Sequence, residues 1–313
     1  MSSNQGGKIK VSVQKAGPLD TGEIAQAMKS IKTKFAIMSG KGGVGKSFVT
    51  ASLALGFAMR GYRVGILDAD VYGPTIPKLL GLVGASLYLS EDEKIIPAVG
   101  PLGIKVVSMD FLLPTDDTAV IWRGPLVDRA IKDFLGSVLW GELDALFIDL
   151  PPGTGDAPLT IAQTLANELT GSIIVTAPSD VSRRIVQKAI DFSRKVKVPI
   201  VGIIENMCCF YCPESGKTYY IFGKLIGKEM ADRYGIPYLG MIPLDPRIGE
   251  ANDLGEPFLM KYSTSDTAKA ILSIVDTVIA MYKDKLEGKV EAPKKQPIKS
   301  LMKLPGEEEE GNE

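Results

Sequence analysis

Eight consecutive residues, Gly40-Lys41-Gly42-Gly43-Val44-Gly45-Lys46-Ser47, combine four glycines with two lysines and a hydroxyl. That set is suited to holding a polyphosphate. The glycines let the backbone curl until successive N–H groups point inward, and a helix that follows aims its positive end at the same place. In the spacing G-x-x-x-x-G-K-S, Lys46 neutralises β- and γ-phosphates and the Ser47 hydroxyl ligates Mg²⁺, while Phe48 carries the loop into its helix. Lys41 occupies a position that an ordinary phosphate loop leaves open; by itself it is a solvated loop charge. Two acidic segments each end an apolar run: Asp68-Ala69-Asp70-Val71-Tyr72-Gly73-Pro74 and Asp149-Leu150-Pro151-Pro152-Gly153-Thr154-Gly155-Asp156. A carboxylate at the end of an apolar strand is costly unless it meets a cation or donors, which makes Asp149 a candidate for Mg²⁺ or its water shell. Asp70 is the candidate to orient or deprotonate the attacking water, within reach of the same ion, because phosphoryl transfer depends on positioning and electrostatics. Asp68 serves equally well as a turn or cap residue. The remaining reactive side chains are the only three cysteines, Cys208, Cys209 and Cys212. They lie too close together for a disulfide framework, and soft thiolates at this spacing suit an iron–sulfur cluster or zinc.

Composition narrows the chemistry further. The 313 residues contain no histidine, which removes imidazole acid–base catalysis, Ser-His-Asp triads and imidazole metal sites. The formal net charge of −1 gives no global field that would favour nucleic acid or an anionic membrane, and neither partner is expected. No apolar stretch of signal-peptide or membrane-spanning length occurs. Free, clustered cysteines fit a reducing compartment, so the expected location is cytoplasmic.

The elements that must position these residues form an alternating series. Apolar strand-like runs are expected at Phe35–Ser39, Arg63–Asp68, Ile104–Met109, Leu143–Leu150, Ser172–Ala177, Pro199–Glu205 and Tyr238–Ile242. Helices are expected at Lys46–Arg60, Gly124–Ser137, Ala157–Glu168, Val181–Lys195, Lys224–Tyr234 and Thr264–Lys285, with Gly61 and Gly235 as C-terminal caps. The pattern specifies an α/β fold, doubly wound, with a mostly parallel sheet. Leu87–Val99 is expected as a hairpin beside it. Residues 1–32 are expected as an N-terminal extension outside the core, with a weak helix at Thr21–Ile31. Residues 33–286 are expected to form the P-loop nucleotide-binding domain, including a cysteine loop at 207–216. The segment 287–313, rich in Lys, Pro and Glu, is expected to be disordered.

In their order, the phosphate loop, Asp-Ala-Asp-Val-Tyr-Gly-Pro, Asp-Leu-Pro-Pro-Gly-Thr-Gly-Asp, Glu205-Asn206-Met207 and Ile242-Pro243-Leu244-Asp245-Pro246 resemble the Mrp-type iron–sulfur cluster carrier ATPases. These belong to the deviant-Walker, SIMIBI-type class with MinD, ParA, the arsenite-pump ATPase and the nitrogenase iron protein. The resemblance runs from about Lys34 to Tyr282. It implies that Lys41 reaches across a homodimer interface to the partner's nucleotide, that Lys46 and Ser47 are the Walker lysine and magnesium hydroxyl, and that Asp70 and Asp149 are the switch I and switch II aspartates. It also implies nucleotide contacts from Asn206, Pro243 and Asp245, with Asn206 at adenine, so that ATP is hydrolysed. The cysteines depart from the family pattern of Asn-Met followed by Cys-Pro-x-Cys. Either Cys212 and Ser215 stand in those places, or Cys209 and Cys212 have taken over, or Cys208 and Cys212 serve, or cluster holding is impaired. The expected cargo is a cluster of the [4Fe–4S] type, with apo iron–sulfur proteins as clients. Four ligands are then met by two chains, each giving Cys209 and Cys212, with Cys208 as the substitute. A MinD- or ParA-like organising switch without cofactor is the alternative.

Overall fold

The computed structural model describes residues 21–112, 124–166 and 168–288. Its centre is a sheet in the order β10-β9-β8-β1-β7-β2-β6-β5, where β1 is Ile31–Met38, β2 Val64–Asp68, β5 Ala98–Val99, β6 Lys105–Ser108, β7 Leu143–Asp149, β8 Gly171–Thr176, β9 Ile200–Tyr211 and β10 Thr218–Tyr219. A further strand, β11 (Tyr238–Leu244), pairs with β9. Every pairing is parallel except those of β5 and β10. Two short strands, β3 (Tyr88–Leu89) and β4 (Ile95–Ile96), form a separate antiparallel hairpin where one was expected.

Side chains of β1 alternate between two helical layers. Phe35 stacks on Phe147 at 5.5 Å and meets Phe57 of α2 (Lys46–Met59) edge-on at 6.3 Å. Ala36 and Met38 instead line the packed space against Ile161 of α5 (Asp156–Thr164) and Phe192 of α6 (Asp180–Lys195). Both faces are therefore covered, which is why the strands read as continuous apolar runs. The order of strands reverses at β1, with successive crossovers leading to β7 and β2 on one side and to β8 and β9 on the other. In open α/β sheets ligands bind at such a point, beyond the carboxyl ends of the strands.

All seven expected strands are present, and four differences have physical causes. First, the helix α1 (Thr21–Met28) is packed into the core rather than outside it, with Ile24, Met28 and Ile31 buried, and β1 begins at Ile31. Lys34 disguised this strand: its ammonium is buried but donates to Glu168 Oε2 at 3.1 Å and to the Ile31 carbonyl at 2.9 Å. Second, β9 continues to Tyr211, six residues past the expected end, so the cysteines lie on a hairpin and not in a loop. Third, the C-terminal helix breaks at Tyr282 into α10 (Asp266–Met281), capped by Ser265 Oγ accepting from the Ala268 N–H, and α11 (Lys283–Leu286). Fourth, short helices arise where none was expected: α3 (Ile76–Leu79), α8 (Pro246–Leu254) and α9 (Phe258–Lys261). The expected helices at 124–137 and 224–234 appear as α4 (Gly124–Gly136) and α7 (Gly227–Tyr234), the latter ending at Gly235 in the left-handed conformation. The expectation of disorder falls on a segment whose residues 289–313 lie outside the described residues.

Candidate nucleotide site and cysteine hairpin

The phosphate loop leaves β1 and turns back into α2 through Gly43 and Gly45, both at φ 77°, a conformation that side chains resist. Gly45 has a second constraint, since a Cβ there would stand 2.2 Å from Asn206 Nδ2. No side chain caps α2. Its first N–H groups are thus left for an anion. The loop walls a cleft of about 280 Å³ that is also lined by Lys41, Phe48, Asp70 and Pro152.

At the cleft floor, Asp149 ends β7 with no exposure and gathers three donors: Lys46 Nζ at 2.7 Å, Ser47 Oγ at 2.6 Å and Thr50 Oγ1 at 2.6 Å. The lysine and hydroxyl expected to serve phosphate and Mg²⁺ are thus held by Asp149. Asp70 Oδ2 lies 3.8 Å from the same ammonium. Burial pushes the Asp70 carboxyl above its ordinary range, against the attraction of Lys46. The oxygens of Ser47, Asp70 and Asp149 form a hard donor set that suits Mg²⁺.

Asp68 sits in register beside Asp149 on the neighbouring strand. Burial, and next the charge of Asp149, raise its pKa to about 8. It accepts from Ser108 Oγ at 3.0 Å and from the N–H groups of Asp70 and Ile76 at 3.2 and 3.3 Å. This is the turn-holding role.

Asn206 reaches the loop from β9, where Nδ2 donates to the Val44 carbonyl at 2.9 Å. Pro243 follows Ile242, the β11 partner of Asn206, near the end of β11. Asp245 is otherwise engaged. It caps α8 by accepting from the Arg247 N–H, and its two oxygens take Arg247 Nε at 2.9 Å and Nη2 at 2.7 Å. Burial opposes the charge, but these bonds hold its pKa below the ordinary value. In the structure Asp245 is thus held in an ion pair with Arg247. Lys41 is half-buried on the cleft wall, and among the described residues no carboxylate pairs with it.

The cysteines divide by environment. Met207, at φ 57°, kinks the strand, and β11 shifts register alongside. Cys208 is buried and its sulfur lies 3.1 Å from that of Cys209; burial, and next the contact with Cys209, push its thiol up. Cys212 opens the turn of the hairpin, with its carbonyl accepting from Gly216 N–H at 2.9 Å. The Ser215 hydroxyl and the N–H groups of Ser215 and Glu214 are directed at the Cys212 sulfur and lower its pKa. Sequence reasoning placed the cysteines in one short loop. In the structure the close pair is Cys208 and Cys209, while Cys212 shares its turn with Ser215.

Sequence reasoning missed Thr50, Thr75 and Asn252. Thr50 had a signal, since it falls four residues after Lys46 and three after Ser47 on one face of α2. Asn252 reaches the cleft from the unexpected α8 and had none.

A glycine-rich loop between a central parallel strand and an uncapped helix, with two strand-end aspartates around its lysine, defines a P-loop NTPase. Residues 30–279 match the family model for the NUBPL iron-transfer P-loop NTPases of the ParA group, and the chain belongs to that family. The iron–sulfur cluster carrier protein of Saccharolobus solfataricus is 55% identical over 257 residues, covering 82% of this chain and 86% of that one. The iron–sulfur cluster carrier protein of Aquifex aeolicus is 47% identical, covering 82% and 70%. Among solved structures, a nucleotide-binding protein from Archaeoglobus fulgidus in complex with ADP is 42% identical with a TM-score of 0.69, covering 79% and 95%. MinD of Pyrococcus horikoshii complexed with Mg-ADP, at 21% identity and a TM-score of 0.56, shares the fold and covers 81% and 98%. Among the described residues no helix is long and apolar enough to cross a membrane.

Proposed function

We propose that this chain is an ATP-hydrolysing carrier that takes up an iron–sulfur cluster of the [4Fe–4S] type, holds it between two copies of itself and delivers it to apo-proteins. One observation carries the reading: Asn206, which is bonded to the phosphate loop at Val44, lies on the same strand as Cys208 and Cys209, with Cys208 only two residues beyond Asn206 and Cys212 just past the strand's end. A nucleotide that shifts the loop thereby pulls on the thiols. Ligand number supports bridging, since three cysteines and no histidine fall short of four in one chain. With Cys208 buried, Cys209 and Cys212 remain, and two chains supply four. Tyr211, Tyr219, Tyr220, Ile221 and Phe222 are exposed beside them, an apolar surface suited to cover by a second copy or a client.

The site supports the hydrolytic part of this reading. Lys46 exchanges Asp149 for the β- and γ-phosphates, which frees Asp149 and Ser47 to join Asp70 as oxygen ligands. Bound there, Mg²⁺ supplies neutralisation of the phosphate oxygens. Asp70 orients the water, and Lys41 reaches the partner's nucleotide. Interactions of this kind are commonly worth about 3 kcal/mol or more, so Lys46→Ala abolishes turnover. The test is anaerobic reconstitution, with iron and sulfide per chain measured for the wild type and each Cys→Ser variant. Cys212→Ser is expected to lose most and Cys208→Ser least. A wild type without iron or sulfide would return the chain to the MinD- or ParA-like reading, and a full cluster on a strict monomer would remove the bridge.

A further inference from the structure

At the opposite end of the sheet from the nucleotide cleft lies a cavity of about 650 Å³. Five lysines line it: Lys29, Lys32, Lys34, Lys283 and Lys285. Only two carboxylates do, Glu168 and Asp284, over a floor that includes Ile31 and Leu169. Lys32 is neutralised by Asp144 at 2.8 Å and Lys34 by Glu168 at 3.1 Å, and Lys283 stands 3.8 Å from Glu287 Oε1. Lys29 reaches only the Gln26 amide, at 3.0 Å, and Lys285 lies 6.0 Å from the Tyr282 ring centre. Among the described residues neither meets a carboxylate. Burial lowers the Lys34 pKa, and repulsion from Lys285 adds to it although Glu168 opposes both. Ammonium groups crowded in this way attract an anion.

The chain itself points to the occupant. Gly288, the last described residue, is on the rim of this cavity. The following segment 289–303 carries five lysines and one glutamate, whereas Leu304-Pro305-Gly306-Glu307-Glu308-Glu309-Glu310-Gly311-Asn312-Glu313 has five carboxylates and no basic residue. At about 3.4 Å per residue the 19 residues from Gly288 to Glu307 span up to roughly 65 Å, far more than the return requires. We infer that Glu307–Glu310 docks on the lysines of this cavity in its own chain, with Leu304 against the apolar floor, tethering α10 and α11 to the start of β1.

A zero-length carbodiimide, which joins a carboxylate to an amine in contact with it, tests this on the full chain. Amide links from Glu307–Glu310 to Lys29, Lys283 or Lys285, mapped by mass spectrometry, are the expected result. They should fall several-fold in about 0.5 M salt, where exposed charges are screened, and in Lys29→Glu/Lys285→Glu, whose substituted side chains are both exposed. In the variant with Glu307–Glu310 all replaced by Gln, amide exchange over 281–288 should quicken. Links spread over surface lysines without preference for these three would overturn the inference, as would unchanged exchange. Mixing isotopically light and heavy chains separates the remaining case: light-to-heavy links alone would place the tail on a second copy and refute docking within the chain.

Discussion

Thr50→Val isolates the holding of Asp149 from the shape of the loop. Thr50 has no solvent exposure, and its hydroxyl bonds Asp149 Oδ1 at 2.6 Å and the Lys46 carbonyl at 3.0 Å. Valine has the same shape, so no cavity forms, but the Oδ1 of a fully buried carboxylate loses its donor. A hydrogen bond to a charged group is worth about 1.5–3 kcal/mol. We expect a loss of about 2 kcal/mol, seen as a lower urea midpoint with an unchanged slope. Thr50→Ser keeps the hydroxyl and deletes one methyl, costing about 1 kcal/mol, so the order of stability is wild type, Ser, Val. Turnover should respond more sharply. With Lys46 engaged by phosphate and Ser47 by Mg²⁺, Thr50 is the hydroxyl donor left to Asp149, and misplacing that carboxylate by about 1.4 kcal/mol lowers kcat about tenfold with little change in the KM for ATP. Phosphate release under ATP saturation measures both. A valine variant as stable as the serine variant, or one that loses KM while keeping kcat, would refute the assignment of Thr50 to Asp149.

Asp68 provides a pH test. Its pKa is about 8 in the fold against an ordinary 3.8, so the native state keeps a proton that the unfolded chain releases. Its contribution is complete below about pH 4 and is lost as pH rises through about 8, and Asp68→Asn should flatten that decline in urea midpoints measured from about pH 5 to 9. Brief alkylation with iodoacetamide at neutral pH, read by peptide mass, should label Cys212 first and Cys208 last, because the first thiol is lowered by its turn and the second is buried. Equal labelling would contradict the hairpin geometry. Lys197 is exposed at φ 58°, where its N–H and that of Val198 close the end of α6 onto the Arg194 and Ser193 carbonyls. Lys197→Gly should therefore stabilise by about 1 kcal/mol, observed as a rise in Tm of a few degrees.

What could be read in advance depended on whether a residue's partner was near it in sequence. The phosphate loop, its strand and its helix are one local unit, and the two strand-end aspartates follow runs apolar enough to be recognised as buried strands. Lys34 defeated the pattern because Glu168, 134 residues away, makes a buried ammonium tolerable inside β1. The ion pair of Asp245 was equally unannounced, although Arg247, which takes both its oxygens, stands only two residues later. Ser108 had nothing to mark it, since its hydroxyl matters only because β6 pairs with β2 and brings it to Asp68.

The most consequential difference is the length of β9. A cysteine loop starting at 207 would absorb displacements arriving from Asn206, because each loop residue adds two soft torsions. A strand paired to β8 and β11 up to that point, and to β10 beyond it, has far fewer ways to yield. Glu205 fixes its position: fully buried, it accepts from the Ile226 N–H at 2.7 Å and from the Tyr238 hydroxyl at 3.4 Å. The next residue bonds the phosphate loop, and the one after, Met207, holds the single left-handed kink of the strand. Motion entering at Val44 therefore meets a pinned residue on one side and a kink on the other. The compliant direction is toward the hairpin that bears Cys209 and Cys212, so under the proposed function nucleotide-dependent strain would run to the thiols rather than into the core.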